Sequence, residues 1–169
     1  MFEIYSKDNI IDDEKAKIIN NILIDNICKR EENKLRPRSD FIDDKKYNIW
    51  LNMLRTKKDY HTLLFYYNNE VVAFISYMYI NDSICLSEVQ IKEEYQGKHN
   101  ILRYMLNHIL DITDKTKYNS ISATISNNKK SMQIFTHIGM KNTVKNWYVI
   151  STNDLIKWIN KYGEVKITN

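Results

Sequence analysis

A segment that changes from strand to helix within a few residues constrains the fold of this chain most. It runs from Ser87 to Leu110 and reads SEVQIKEEYQGKHNILRYMLNHIL. It begins as an apolar strand, turns at Gly97, and continues from about Asn100 with apolar residues at helical spacing. Gly97 is one of only three glycines in the chain, so its place in this turn indicates an unusual φ or a close approach to the backbone. A helix that follows a strand in this way predicts a crossover to a second, parallel strand.

The rest of the chain predicts a mixed α+β fold. Residues 60–91 form a meander of three antiparallel strands, with turns at Asn68-Asn69 and Asn81-Asp82 because Asn and Asp tolerate positive φ. The element order is therefore β-α-α-β-β-β-α-β-α-β-α, with a central, mixed and mostly antiparallel sheet flanked by helices. The helices are predicted at 11–30, 45–58, 100–113, 128–139 and 153–163, and the remaining strands at 2–5, 118–126 and 146–151.

Length and composition limit the function classes. The 169 residues predict one domain over 1–169, with its motif-bearing core at about 62–151. A net charge of +4 fits a basic surface with one anion pocket better than a nucleic-acid interface, so nucleic acid is disfavoured as a partner. No leader or membrane-spanning stretch is evident, which favours a soluble, cytoplasmic protein. Cys28 and Cys85 lack partners at metal spacing, so reduced thiols and no metal site are expected.

The turn at Gly97 is a candidate anion site. The first N–H groups of a helix have no partner inside the helix and lie at its positive end, where phosphate binds. Gly97 would allow close approach of a ligand, and Lys98 adds a positive charge. From these residues alone, an ordinary surface turn explains the pattern equally well.

Two segments together carry a family resemblance. The first, VQIKEEYQGKHNILRYML, is a strand followed by Gln96, by Gly97-Lys98 and by a helix. The second, NNKKSMQIFTHIGM, has Asn128, a small residue three positions later, and Gly139 followed by a large apolar residue. In order and spacing, the chain resembles the GCN5-related N-acetyltransferase (GNAT) superfamily over roughly residues 2–151.

The resemblance implies that acetyl-CoA is the co-substrate. Backbone N–H groups of the glycine turn would hold its pyrophosphate, and exposed backbone of the preceding strand would pair with its pantetheine arm. The second segment would contribute an amide side chain and two further contacts. The implied CoA-binding residues are Val89, Ile91, Gln96, Gly97, Lys98, His99, Asn100, Ile101, Asn128, Ser131 and Phe135.

The chain departs from the family pattern at three positions. His99 and Ile101 stand where the family has glycine or alanine, and the helical pattern begins one residue late, so Asn100 is a candidate N-cap. Phe135 replaces the tyrosine that in many members protonates the departing CoA thiolate. A different side chain, water, or the loss of catalysis are the alternatives that remain.

The same resemblance assigns roles in catalysis. Glu88 is the candidate general base for the amine, and the N–H of Ile91 is the candidate donor to the thioester oxygen. A surface glutamate or a partner of a neighbouring strand is the competing interpretation of Glu88. The acceptor is expected to contact the loop after the first helix and the late strands. The implied residues are Arg36, Arg38, Trp147 and Tyr148.

The activity implied is an acetyl-CoA-dependent N-acetyltransferase. It would move acetyl directly to a primary amine of a small molecule or a peptide, within a ternary complex. The alternative is a non-catalytic GNAT-fold module that binds acyl-CoA or another protein. A basic nucleic-acid-binding domain is a third, weaker hypothesis, and a homodimer is left open.

Overall fold

The computed structural model describes residues 2–6, 11–125, 128–161 and 163, and only the backbone for 2–6 and for residue 31. The chain groups into two compact units. Unit 1 contains the described residues up to 76 and residues 88–101, and unit 2 contains residues 77–87 and the described residues from 102 onward. The prediction of a single domain stays a prediction.

The described elements follow the predicted order with additions. Six α-helices and seven strands are found among the described residues. The helices are α1 Asp13–Cys28, α2 Ser39–Ile42, α3 Lys45–Thr56, α4 Ile101–Ile112, α5 Lys129–Ile138 and α6 Thr152–Asn160. The strands are β1 Phe2–Ser6, β2 His61–Tyr67, β3 Glu70–Ile80, β4 Ser83–Ile91, β5 Ser120–Thr124, β6 Lys141–Val144 and β7 Trp147–Ser151. Two short 3-10 turns lie at Glu31–Asn33 and Glu93–Tyr95.

The strands form one mixed sheet in the order β1-β2-β3-β4-β5-β7-β6. In unit 1, β1 pairs antiparallel with β2, from Phe2 opposite Tyr67 to Ser6 opposite Leu63. In unit 2, β4 and β5 are parallel, which confirms the crossover predicted from the helix between them. Strand β7 pairs antiparallel with both β5 and β6.

Local sequence explains where the helices and hairpins begin. Asp12, Asp44 and Ser151 cap α1, α3 and α6, because each side-chain oxygen accepts a backbone N–H of the first helical turn. Asn68 and Asn69 have φ of 50° and 63° in the β2–β3 turn. Positive φ at both positions matches a type I′ hairpin turn and confirms the predicted turn.

Each unit buries its own apolar side chains. In unit 1, α1 packs an inward face, and β2 and the first half of β3 are almost continuously buried. In unit 2, α4 supplies the largest share of the core, with further residues from β4, β5, β7 and α6. The unit 1 core includes Ile19, Ile24, Phe41, Leu64 and Phe74, and the unit 2 core includes Ile84, Met105, Ile109, Ile121 and Leu155.

Several predictions about element ends were wrong. Two elements, β6 and the short α2, were also not predicted. Strand β6 has no alternation of apolar and polar residues to detect, because all four of its positions are exposed. Helix α6 ends at Asn160, three residues before Gly163. Asn100 has φ of 52°, so it lacks the extended conformation of an N-cap residue.

Candidate functional site

Glu88 lies near the end of β4, on the part of that strand that belongs to unit 1. The residue is half-buried. Burial raises the pKa of its carboxyl group, while a hydrogen bond from Gln90 and the positive charges of Arg30 and Lys46 act in the opposite direction. A carboxylate with a raised pKa is suited to accept a proton near neutral pH.

The described pairing of β4 with β5 ends before Glu88. The described pairing with β5 covers Ser83–Leu86, whereas β4 continues to Ile91. The N–H of Lys92 donates to Val72 O of β3 at 2.9 Å. Because neighbouring residues of a strand direct their backbone groups to opposite sides, the groups of Ile91 and Val89 point away from β3. This is the orientation that the sequence analysis expected for a strand that pairs with an extended ligand.

The carbonyl oxygen of Ile91 is already occupied. It accepts a hydrogen bond from Asn26 Nδ2 at 2.9 Å and another from Gln96 Nε2 at 3.0 Å. A carbonyl oxygen has two lone pairs, so these two donors satisfy it. Gln96, predicted as a pyrophosphate contact through its backbone, therefore also ties the turn to the end of β4 through its side chain.

The turn between β4 and α4 contains three left-handed residues. Gly97, His99 and Asn100 have φ of 72°, 56° and 52°, and the intervening Lys98 has a negative φ. Turns that combine the two hands direct successive N–H groups into a concavity that favours anions. A Cβ built on Gly97 meets no atom within 4 Å, so crowding by the protein does not explain the glycine. Its positive φ and the open space next to it do.

Contacts within unit 1 anchor this turn on both sides. Lys92 forms an ion pair with Glu70 at the start of β3, and Tyr95 Oη donates to the same carboxylate at 3.4 Å. The Tyr67 ring of β2 lies 6.0 Å from the Tyr95 ring and 5.0 Å from the imidazole of His99. These contacts hold the segment before and after Gly97 in place. Lys98 is exposed and has no ion pair among the described side chains.

The two arginines expected to contact the acceptor are engaged by neighbouring residues. Arg38 donates from Nε to Asp25 Oδ1 at 3.0 Å and from Nη2 to Asn21 Oδ1 at 3.2 Å, both on α1. The Arg36 guanidinium lies 4.3 Å from the centre of the Phe41 ring and 3.7 Å from Asp40. Their part in acceptor binding stays a prediction.

The sequence analysis missed a different set of residues around Glu88. Arg30, just after α1, and Lys46 and Tyr47 of α3 interact electrostatically with the carboxyl group. Burial raises the pKa of Tyr47, and the charge of Arg30 opposes this. Arg30 is half-buried and its side chain makes no hydrogen bond or ion pair to the described side chains. No spacing rule in the sequence brings these positions together, because they belong to three separate elements.

Unit 2 carries the second predicted segment. Asn128 caps α5, since its Oδ1 accepts the N–H of Ser131 at 3.1 Å, and its Nδ2 remains a candidate donor for a ligand. Phe135 is half-buried on the same helix, and Gly139 ends that helix with φ of 100°, as predicted. Met132 of the same helix is 38% exposed.

The late strand residues of unit 2 differ in exposure. Trp147 is half-buried, and Tyr148 is buried with 6% of its surface exposed. Tyr148 lies opposite Ala123 of β5. It therefore belongs mainly to the sheet interior, and its predicted contact with the acceptor stays untested.

The described parts of the chain contain neither a metal-binding cluster nor a helix able to span a membrane. Within them, no cluster of three or more His, Cys, Asp or Glu side chains is placed to hold a metal ion. None of the helices described there combines the length and apolar character that crossing a membrane requires.

Comparison with known proteins places the fold. No protein-family model matches the sequence, and no curated protein matches it significantly. The PaiA N-acetyltransferase of Thermoplasma acidophilum, solved in complex with coenzyme A, is similar with a TM-score of 0.67 and 16% identity, covering 88% of this chain and 98% of its own. A GNAT-family acetyltransferase of Staphylococcus aureus Mu50 has a TM-score of 0.61 and 16% identity, covering 89% and 99%.

A third similar structure is the ribosomal-protein-S18-alanine N-acetyltransferase of Escherichia coli. Its TM-score is 0.56 and its identity 13%, and the match covers 89% of this chain and 92% of that one. At these identities the similarity establishes the fold. The chain has the mixed α+β fold of the GNAT acetyltransferases, as the motif resemblance predicted.

Proposed function

We propose that this chain is an acetyl-CoA-dependent N-acetyltransferase that acts on a primary amine of a small molecule or peptide. The observation that carries the proposal is the position of Glu88 in unit 1. Its carboxyl group has a pKa raised by burial, and it precedes a stretch of β4 whose backbone extends beyond the pairing with β5. The GNAT fold adds independent support for acetyl transfer.

The residues of unit 1 fit the chemistry of a CoA ligand. The left-handed turn at Gly97–Asn100 leaves open space over Gly97 and has an exposed lysine, which together suit a pyrophosphate. Two of the N–H groups predicted to bind it are already used within the turn, because Lys98 N donates to Tyr95 O and Ile101 N donates to Lys98 O. Of the predicted pantetheine contacts on β4, the Ile91 carbonyl is satisfied by Asn26 and Gln96. We therefore assign pairing with the pantetheine arm to the backbone of Val89, and the N–H of Ile91 to the thioester oxygen.

The proposed reaction is direct transfer within a ternary complex. Acetyl-CoA supplies the activated thioester when bound. Glu88 accepts the proton that the acceptor amine must lose before or during its attack, because only a neutral amine is a nucleophile. The Ile91 N–H is the proposed donor to the carbonyl oxygen as negative charge develops there. As the new C–N bond forms, the C–S bond breaks and CoA leaves as its thiolate. Neither Cys28 nor Cys85 has a role, and burial raises the pKa of the Cys85 thiol, which disfavours a thiolate nucleophile.

The positive charges around Glu88 limit which kind of acceptor amine can bind. Arg30 and Lys46 place positive charge near the carboxyl group, and the guanidinium of Arg30 has no described hydrogen-bond partner. An amine that carries a carboxylate or phosphate would pair with this charge, whereas a polyamine would be repelled by it. We therefore favour an acceptor with an anionic group close to its amine.

A second candidate function rests on Phe135. It occupies the position of the family's proton-donating tyrosine and cannot donate a proton itself. A non-catalytic GNAT-fold module that binds acyl-CoA or a partner protein would not need that donor.

One experiment tests the proposal and separates it from the alternative. Purified protein is melted with and without acetyl-CoA, and thiol release from acetyl-CoA is followed with pooled amino acids, amino-terminal peptides and polyamines. A catalytic protein shows a higher Tm with acetyl-CoA and acceptor-dependent thiol release. A higher Tm without any acetylated amine favours the acyl-CoA-binding module. No change in Tm at millimolar acetyl-CoA contradicts both functions that involve CoA.

Glu88→Gln tests the assigned base. We expect kcat/KM to fall about a hundredfold or more while the acetyl-CoA-dependent rise in Tm is kept. Glu94→Gln is the matched control, because it removes the same charge from an exposed glutamate of the same unit. Equal activity of Glu88→Gln and the control would remove Glu88 from the mechanism.

A further inference from the structure

Three side chains form a continuous hydrogen-bonded chain from helix α1 to Glu88. Asn26, in the last turn of α1, donates from Nδ2 to Gln90 Oε1 at 2.7 Å. Gln90 in turn donates from Nε2 to Glu88 Oε1 at 2.5 Å. The same Asn26 nitrogen also donates to the carbonyl oxygen of Ile91 at 2.9 Å. All four residues belong to unit 1.

The direction of this chain follows from one backbone atom. The carbonyl of Ile91 can only accept, so the Asn26 atom that faces it must be the amide nitrogen. That nitrogen has two hydrogens, and the second one points to Gln90, whose facing atom must therefore be its oxygen. The opposite end of the Gln90 amide is then its NH₂ group, and this group faces Glu88.

Gln90 has little freedom to choose another arrangement. It is buried, with 8% of its surface exposed, so water cannot replace a lost partner easily. Reversing its amide would set its NH₂ against the NH₂ of Asn26 and its oxygen against the Glu88 carboxylate. Both contacts would be repulsive, so the backbone carbonyl of Ile91 fixes the Gln90 amide through Asn26.

We propose that Asn26 and Gln90 are positioning residues that hold one carboxylate oxygen of Glu88 and leave the other oxygen for the acceptor amine. The proposal rests on the proposed role of Glu88 as base. The donor from Gln90 stabilises the charged carboxylate and so limits how far burial raises its pKa. The other charged or titratable groups described as acting on Glu88 are Arg30 after α1, and Lys46 and Tyr47 of α3.

Asn26→Asp reverses the chain. The new carboxylate can only accept, so its bond to the Ile91 carbonyl is lost and that carbonyl keeps only the donor from Gln96. Gln90 is expected to turn its NH₂ group to the carboxylate and its oxygen to Glu88. Glu88 then loses a donor and faces an oxygen, and its charged form is destabilised. The acid limb of the kcat/KM profile should move up by about one to two pH units. Below that limb, each unit of the shift lowers kcat/KM about tenfold, while the rate above it is largely retained.

Two further variants control this test. Gln90→Met removes the donor at similar size and adds no charge, so it should shift the limb in the same direction. Asn21→Asp adds the same negative charge at an exposed position of α1 that contacts Arg38, and should leave the limb in place. A limb that stays in place in both Asn26→Asp and Gln90→Met, with both proteins folded, overturns the proposal. A shift in Asn21→Asp equal to that in Asn26→Asp overturns it as well, because general charge would then explain the effect.

A readout without turnover separates this proposal from the proposed function. The carboxyl carbons of ¹³C-labelled glutamate are titrated by NMR, and the Glu88 signal is assigned by its loss in Glu88→Gln. An upward shift of its titration in Asn26→Asp and Gln90→Met supports the hydrogen-bonded arrangement, and an unchanged titration in both refutes it. If the titration shifts but the wild-type chain acetylates no amine, the function of Glu88 as base is what fails.

Discussion

Replacing Gly97 by asparagine separates a structural role of this glycine from a ligand-binding one. Gly97 has φ of 72°, and Gly163 has φ of 87°; a Cβ added to either meets no protein atom within 4 Å. The two positions are therefore matched in backbone conformation and in open space. Only Gly97 lies in the proposed CoA turn, so Gly163→Asn is the control for Gly97→Asn.

The expected effects differ in size. Asparagine adopts positive φ more readily than other non-glycine residues, and four asparagines of the described chain already do so in its hairpin and β4–α4 turns. We therefore expect each substitution to lower the free energy of unfolding by no more than about 1 kcal/mol, or about 2–4 °C in Tm. Acetyl-CoA at about one hundred times its Kd should stabilise the wild-type chain by about 2.7 kcal/mol, or roughly 5–11 °C.

The assay is a thermal melt of the three proteins over a series of acetyl-CoA concentrations. Gly163→Asn should keep the full ligand-dependent rise in Tm, whereas Gly97→Asn should lose most of it, because its side chain occupies the space over the turn. A Gly97→Asn protein that melts normally and keeps the whole rise would refute the assignment of the pyrophosphate to this turn. A comparable loss in the control would mean that the effect reports general stability.

Three further predictions follow from individual contacts. Asn128→Ala should lower Tm by about 2–4 °C, because the α5 cap is lost. Asn128→Ser keeps a capping oxygen and should keep Tm, but it should lower the affinity for acetyl-CoA if the Asn128 amide nitrogen contacts the ligand. Equal affinity of Asn128→Ser and wild type would contradict that contact. Arg103 donates from a buried guanidinium to the carbonyls of Ile159 and Gly163, so Arg103→Met should lower the free energy of unfolding by about 2 kcal/mol in denaturant titration, and an unchanged midpoint would argue against this anchor of α6. Burial raises the folded-state pKa of Glu88, so the folded chain binds that proton more tightly than the unfolded chain. The stability that this proton contributes is present at acid pH and is lost as pH rises through the folded pKa. The Tm of Glu88→Gln relative to wild type should therefore increase between pH 5 and 8, and a parallel pH dependence of both proteins would contradict this.

The elements that the sequence predicted well are those with a strong local signal. The β2–β3 hairpin followed from two asparagines with positive φ, and the end of α5 followed from Gly139. The parallel β4–β5 pair followed from the helix between them. Strand β6 was missed because all four of its residues are exposed, so that neither alternation nor burial marks it.

The residues of the candidate site also fall into two groups, those that the sequence predicted and those that it did not. Glu88, Gly97 and Asn128 were found from the order and spacing of motif residues along the chain. The sequence did not predict Asn26, Gln90 or Arg30 as part of the site. Hydrogen bonds and charge link residues of α1, of the loop after α1 and of β4, which lie up to 65 positions apart in the chain. A motif search reads neighbours along the chain, whereas these contacts exist only after α1 has packed beside the end of β4.

The sequence by itself determined the fold class and the strand–turn–helix that contains Gly97, because backbone conformation and hydrophobic periodicity are local properties of the chain. The tertiary structure decided which polar groups of the predicted site remain available to a ligand. It occupied the Ile91 carbonyl with two side-chain amides, used Asn128 Oδ1 as a helix cap and turned Arg38 toward α1. A polar group can serve a ligand only if folding has not already given it a partner, and that depends on what packs beside it.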